Sequence, residues 1–142
     1  MAINQSLCAS FKAEILAAVH DFTPLTGDTF KIALYTSVAD ISSNSTVYTS
    51  VGEVVGSGYV AGGNTLTGQT ITLSGTTAFV TFTNSLWVSS TFSATGALIY
   101  NSTKADKAVA VLNFGGPFSS TDNTFAITFP PATATTAVII IF

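Results

Sequence analysis

Beyond Gly27 the apolar residues of this chain recur at every second position, and that pattern commits most of its core to β-strands. Over Thr29–Tyr35, Phe30, Ile32 and Leu34 fall on one face, and Thr29, Lys31 and Tyr35 on the other. The same alternation predicts strands over 65–73, 77–83, 86–92, 96–101, 107–114, 123–129 and 136–142. Phe125, Ile127 and Phe129 alternate with Ala126 and Thr128, which gives that strand one wet face. Val138–Phe142 is continuously apolar and reads as a strand covered on both faces. Clusters of Gly, Asn, Ser and Pro at 42–45, 56–63, 74–76, 102–106, 115–123 and 130–135 separate the strands. About eight short strands with no helical crossovers predict an all-β, antiparallel β-sandwich of jelly-roll-like form, in a single domain over 1–142.

One segment has a different period. Leu7, Phe11, Ile15, Val19 and Phe22 recur at three- and four-residue spacing, which predicts an amphipathic N-terminal helix over 5–21. Asn4 is placed to cap it, and Thr23-Pro24 to end it. Leu7, Phe11 and Ile15 form the stripe that holds the helix to the body or to a partner, with Lys12 and Glu14 directed away. The segment 36–64 is the least regular.

Composition narrows the function classes. The 142 residues are 47% hydrophobic but only 8% charged, against roughly 25% charged in an average soluble domain. So apolar a chain is not a disordered one. Its cations are four lysines (Lys12, Lys31, Lys104 and Lys107), with no arginine and a net charge of −3. Nucleic-acid binding requires phosphate neutralisation by clustered cations, and anionic membrane surfaces require the same, so neither is expected as a partner. The N-terminus lacks the positive charge of a secretory leader, and no run reaches the roughly 18 apolar residues of a membrane helix.

Reactive groups are sparse. The lone Cys8 allows no internal disulfide, and one Cys with one His cannot close a zinc site. A Cys8–His20 dyad fails on helical geometry, which leaves His20 as a helix-end residue near the negative pole of the dipole. Asp21, Asp28, Asp40, Glu53, Asp106 and Asp122 fall on separate turns, where aspartates serve Asx-turns and caps. Asp28, Asp40, Asn44 and Glu53 together offer oxygen ligands for calcium, without EF-hand spacing. The run Gly56-Ser57-Gly58-Tyr59-Val60-Ala61-Gly62-Gly63 lacks the Gly-Lys-Ser/Thr ending of a phosphate loop. It reads instead as a tight connection needing positive φ at Gly62 and Gly63, with Tyr59 plugging the core or an interface. Trp87 with Tyr35, Tyr48, Tyr59 and Tyr100 reads either as a sugar-stacking platform or as core and interface anchors. No nucleophile–base–orienter set emerges, so no catalytic residue and no cofactor are assigned.

Several stretches carry a resemblance. They are Phe30–Ser37, Tyr48-Thr49, Glu53–Gly63, Gly96–Asn101 and Lys107–Gly115. In these the chain resembles small virion structural proteins of tailed bacteriophages, and it is similar to jelly-roll head-decoration (cement) proteins. The resemblance implies a non-enzymatic protein that binds the outer surface of the assembled head. It implies the major capsid protein and further copies of itself as partners, and a place on the virion after synthesis in the host cytoplasm. The family carries no catalytic motif to transfer. Leu7, Phe11, Ile15, Tyr48, Tyr59 and Trp87 are the candidate interface residues. A tail, neck or baseplate component, or a receptor- or carbohydrate-binding module of the virion, are the alternative readings.

Overall fold

A computed structural model describes residues 2–130 and 137–141. The chain runs β1 (Ser6–Leu7), α1 (Ala9–Leu16), β2 (Phe30–Tyr35), β3 (Asn64–Thr65), β4 (Thr70–Ser74), β5 (Thr77–Thr81), β6 (Ser85–Asn101), β7 (Lys107–Ile127) and β8 (Ile139–Ile141). Two antiparallel sheets result, ordered β1-β7-β6-β2-β3 and β4-β5-β8, which is the all-β, sandwich-like architecture that the alternation predicts. The core centres on β2, β6 and β7, where Ile32, Leu34, Leu98, Ile99, Val109 and Val111 are fully buried. Among the described residues no helix is long and apolar enough to cross a membrane.

The N-terminal helix is shorter than its period predicts. Ser6 and Leu7 pair with Val111 and Ala110 as a strand, and the Cys8 amide donates to the Val109 carbonyl. Helix α1 therefore starts at Ala9 with Cys8 in the N-cap position, and Asn4 is no cap but lies four residues earlier, its backbone N–H donating to the Ile41 carbonyl. At the other end Ala18 adopts φ 57°, and the amides of Ala18 and Val19 bond back to the carbonyls of Ile15 and Glu14. That is a Schellman closure, and it stops the helix well before Thr23-Pro24. Phe11 is buried, Leu7 and Ile15 pack against the core, and Leu16 stands in solvent.

Strands expected to be separate are fused. The stretches 86–92 and 96–101 lie in β6, a 17-residue strand. The stretch 107–114 and residues 123–127 of the stretch 123–129 lie with the intervening Gly115–Asp122 in β7, of 21 residues. The β6–β7 ladder survives its turn-like residues by register shifts, between Trp87 and Ser90, Ser90 and Phe92, and Ala94 and Gly96. Positive φ at Ser89, Gly115, Gly116 and Asp122 falls within these bulged regions. The expected alternation at Phe125, Ile127 and Phe129 is present, with Ala126 and Thr128 outward.

Strand β8 is an edge strand rather than one covered on both faces. Ile139 is buried, but Ile141 is 53% exposed. Val138 lies just outside it, and Thr136 and Phe142 lie outside the described residues. Strand β2 is buried along both faces, because the irregular segment from Val47 to Gly63 folds over its second face. That covering segment is held by polar groups, which form the first of two buried clusters.

Candidate functional site

Glu53 is the centre of the first cluster. Its side chain is buried beside β2, and Tyr35 and Glu53 meet in an isolated antiparallel bridge. Oε2 accepts the Tyr48 hydroxyl at 2.5 Å, while Oε1 accepts the Tyr59 hydroxyl at 2.6 Å and the Gly62 amide at 2.7 Å. The Tyr59 oxygen accepts in turn from the Leu34 amide of β2 at 2.9 Å. Tyr35 and Tyr100 complete the cluster by donating to the carbonyls of Thr49 and Gly62. Both carboxylate oxygens are thus occupied, as burial of a polar group requires. The result is a fastener that locks the segment from Thr49 to Gly62 onto the sheet.

The glycines of this segment are required by close approach. Gly63 has φ +76°, and a Cβ there would stand 1.8 Å from the Ile32 carbonyl oxygen. Gly62 has φ +95° and presents its amide to Glu53. The run Gly56–Gly63 is therefore a structural connection, as its lack of a phosphate-loop ending suggests.

The phenols in the cluster titrate late. Burial, reinforced by hydrogen bonding to Glu53, pushes Tyr48 and Tyr59 well above the ordinary tyrosine range. Burial and then the Glu53 charge do the same to Tyr35. Tyr100 is pushed up to about 12, by burial first and then by the charges of Asp106 and Glu53.

The second cluster ties the N-terminal segment to the β6–β7 turn. The His20 ring is buried 5.0 Å from Phe11, with Nε2 at 3.1 Å from Glu14 Oε1 and Nδ1 at 3.0 Å from Asn101 Nδ2. A carboxylate only accepts, so Nε2 carries the proton and Nδ1 accepts from Asn101. The second Asn101 proton goes to Asp28 Oδ2 at 2.7 Å, and Asn101 Oδ1 accepts the amides of Thr103 and Lys104. Every donor and acceptor of the Asn101 amide is used. Lys107 closes one end of this chain on Glu14 at 3.0 Å, and Lys104 approaches Asp28 at 3.8 Å at the other. Burial raises the Glu14 pKa, but hydrogen bonds from His20 and Lys107 outweigh it and hold the carboxyl below its usual range.

Several expectations are corrected here. His20 is a buried, paired ring, four residues past the end of α1, rather than a residue at the helix terminus. Glu14 turns toward the body rather than away from it. Asp28 and Glu53 belong to different clusters, where their oxygens already accept protein donors, and so do not join Asp40 and Asn44 in a calcium site. Among the described residues no three His, Cys, Asp or Glu side chains gather closely enough to hold a metal ion. Cys8 is buried with its thiol directed at the Ser42 carbonyl, and burial followed by the Glu14 charge pushes it up to about 11. It is a protonated, unreactive thiol at neutral pH.

The candidate interface residues divide. Phe11 and Trp87 are core residues, 1% and 3% exposed. Tyr59 stacks 6.2 Å from Trp87, Tyr48 stacks 4.8 Å from Tyr100, and both hydroxyls are committed to Glu53. Of the aromatic residues read as a sugar platform, Trp87, Tyr35 and Tyr100 are thus core, while Tyr48 and Tyr59 are half-buried with their hydroxyls committed to Glu53. Leu7 and Ile15 are half-buried against the same core. Asn101 gave no local signal of its importance, because its partners His20 and Asp28 lie 81 and 73 residues away in sequence.

No family model, no curated protein and no solved structure matches the chain.

Proposed function

We propose that this chain is a small structural protein of tailed-phage virions, which binds the outer surface of the assembled head and stabilises it without catalysis. One observation supports the reading. The stretches that resemble such proteins become neighbours, as β2, the ends of β6 and β7 that pair near it, and the segment fastened over β2 by Glu53. Within them Tyr35, Tyr48, Tyr59, Gly62 and Tyr100 are tied together around Glu53, so these stretches build a scaffold. On this reading the function lies with the strands and loops outside the scaffold, and the resemblance makes that function binding to the head.

The physical chemistry suits a shell protein. A ligand that binds the assembled head but not its parts stabilises the head by mass action. Repetition over the lattice raises effective concentration and makes modest single contacts sufficient. Hydroxyl-rich, sparsely charged strand faces make contacts that salt screens little. The partners on this reading are the major capsid protein and further copies of the chain.

The test is co-sedimentation of the purified chain with isolated empty heads, alongside its molar ratio to the shell protein in purified virions. Saturable binding at a ratio of one, or a simple fraction of it, is the expected result. A few copies per particle with no binding to heads would assign the chain to the tail, neck or baseplate. Absence from virions would overturn the reading.

A further inference from the structure

Among the described residues, the outer edge of β4 lacks the charge, proline, bulge and partner strand by which proteins protect a strand edge. Thr70–Ser74 pairs with β5 in an unbroken five-residue register, and all five residues are exposed. Among the described residues no strand pairs with its other side. Edges are ordinarily blunted by shortness, charge, proline or a bulge. The short β1 and β3 blunt the edges of the larger sheet, whereas β4 carries no charge, no proline and no bulge.

We propose that the β4 edge is a self-association surface, where a second copy of this chain adds its own β4 antiparallel about a two-fold axis at Thr72. The sequence of the strand is self-complementary in that register. Thr72 opposes Thr72, Thr70 opposes Ser74, and Ile71 opposes Leu73, so hydroxyls meet hydroxyls and apolar groups meet apolar groups. Ile71 and Leu73 are 50% and 73% exposed. The β4–β5 and β5–β8 registers put them on one face with Val80, Ala78, Ile139 and Ile141. Pairing continues that apolar face across the axis and satisfies the free backbone groups of both edges.

The self-complementary register selects the occupant, and charge permits it. Residues 54–103 and 123–142 contain no charged side chain, so β4, β5 and β8 offer nothing that attracts a charged partner and nothing that repels a copy. The net charge of −3 resides elsewhere in the chain. An isologous edge of five residues falls below the roughly 1,000 Å² of a stable interface. The dimer is therefore weak and reversible, with a Kd of roughly 10 μM to 1 mM. This inference deepens the self-partner part of the proposed function by naming its surface, and it is independent of head binding, so either can fail without the other.

Sedimentation velocity of the full chain over a concentration series tests it. The expected result is a concentration-dependent rise toward twice the 14.6 kDa monomer mass. T72K and T72E should each be monomeric, because each sets like charges against each other at the axis, and an equimolar mixture should restore the dimer. Hydrogen exchange on the unmodified chain supplies a readout that needs no variant, since the amides of β4 should gain protection as concentration rises. A chain that stays monomeric to about 1 mM overturns the proposal. So does self-association that T72K and T72E leave unchanged, or that brings no added protection to β4.

Discussion

Glu53 and Tyr59 are joined by a 2.6 Å hydrogen bond, and the same tyrosine oxygen takes the Leu34 amide of β2. A loop carboxylate is thereby wired to the backbone of the central sheet through one phenol. Glu53→Leu leaves the Tyr48 and Tyr59 hydroxyls and the Gly62 amide without their acceptor. The expected loss is about 3–5 kcal/mol, because each buried unpaired donor costs about 1–3 kcal/mol. Glu53→Gln, which keeps one acceptor oxygen, should lose less. Urea unfolding of the two variants checks the order, and equal stability with the parent chain would remove Glu53 from its place at the centre of the fastener.

The tyrosines around Glu53 set an alkaline limit. Their folded pKa values are raised, so the folded state keeps phenolic protons that the unfolded chain releases near pH 10. The unfolded state then binds fewer protons, and stability falls as pH rises. This contribution is complete below pH 10 and is lost as pH climbs toward the folded values, about 12 for Tyr100. A pH titration that follows tyrosinate absorbance and circular dichroism together should show late ionisation accompanied by unfolding. Ordinary titration near pH 10 with the fold intact would contradict the burial of these hydroxyls.

Asn101 satisfies His20, Asp28 and two turn amides at once. Asn101→Ala should cost about 2–4 kcal/mol by leaving several of these groups unpaired. Asn101→Asp should do at least as much harm, because it turns an acceptor toward both Asp28 and the accepting nitrogen of His20. Thermal melts of the two variants test the amide orientation, which only an unharmed Asp variant would reverse.

Ala18 closes the helix in the left-handed region, at φ 57°. An L-residue there costs roughly 1–2 kcal/mol, a cost glycine does not carry. Ala18→Gly should raise stability by about 1 kcal/mol, after allowing for the greater freedom of glycine in the unfolded chain. A lowered melting temperature would mean that the helix end is held differently.

Gly63 is the opposite case. Any side chain at this position meets the Ile32 carbonyl, and β-branching adds to the strain of φ +76°. Gly63→Val should fail to fold or should lose more than about 3 kcal/mol. Far-ultraviolet circular dichroism and solubility of the variant decide this, and an unaltered fold would refute the close approach to β2.

The elements legible in the sequence are those whose neighbours merely confirm a local pattern. Phe30, Ile32 and Leu34 alternate and are buried, and Phe125, Ile127 and Phe129 behave alike. The helix boundary was not legible, because Ser6 and Leu7 are recruited into a sheet by residues more than a hundred positions away. Nor was the continuity of β7 through Gly115 and Gly116, since bulging depends on the opposing strand rather than on the residues themselves. The polar clusters were hidden for a related reason. Glu53 sits among hydroxyl residues with nothing to mark it, and His20 finds Asn101 only after the sheet has formed.

The pairing of Ser6 and Leu7 with Val111 and Ala110 sets a schedule for the newborn chain. Of the described strands, β1 waits for β7. At translation rates of about 5–20 residues per second, the wait is on the order of ten seconds. Through that interval β2 lacks β6, the Glu53 segment has little of its sheet to close on, and the neutral β4–β5 hairpin is already complete. The chain emerges from the ribosome with its stickiest edge finished well before its N-terminal clasp.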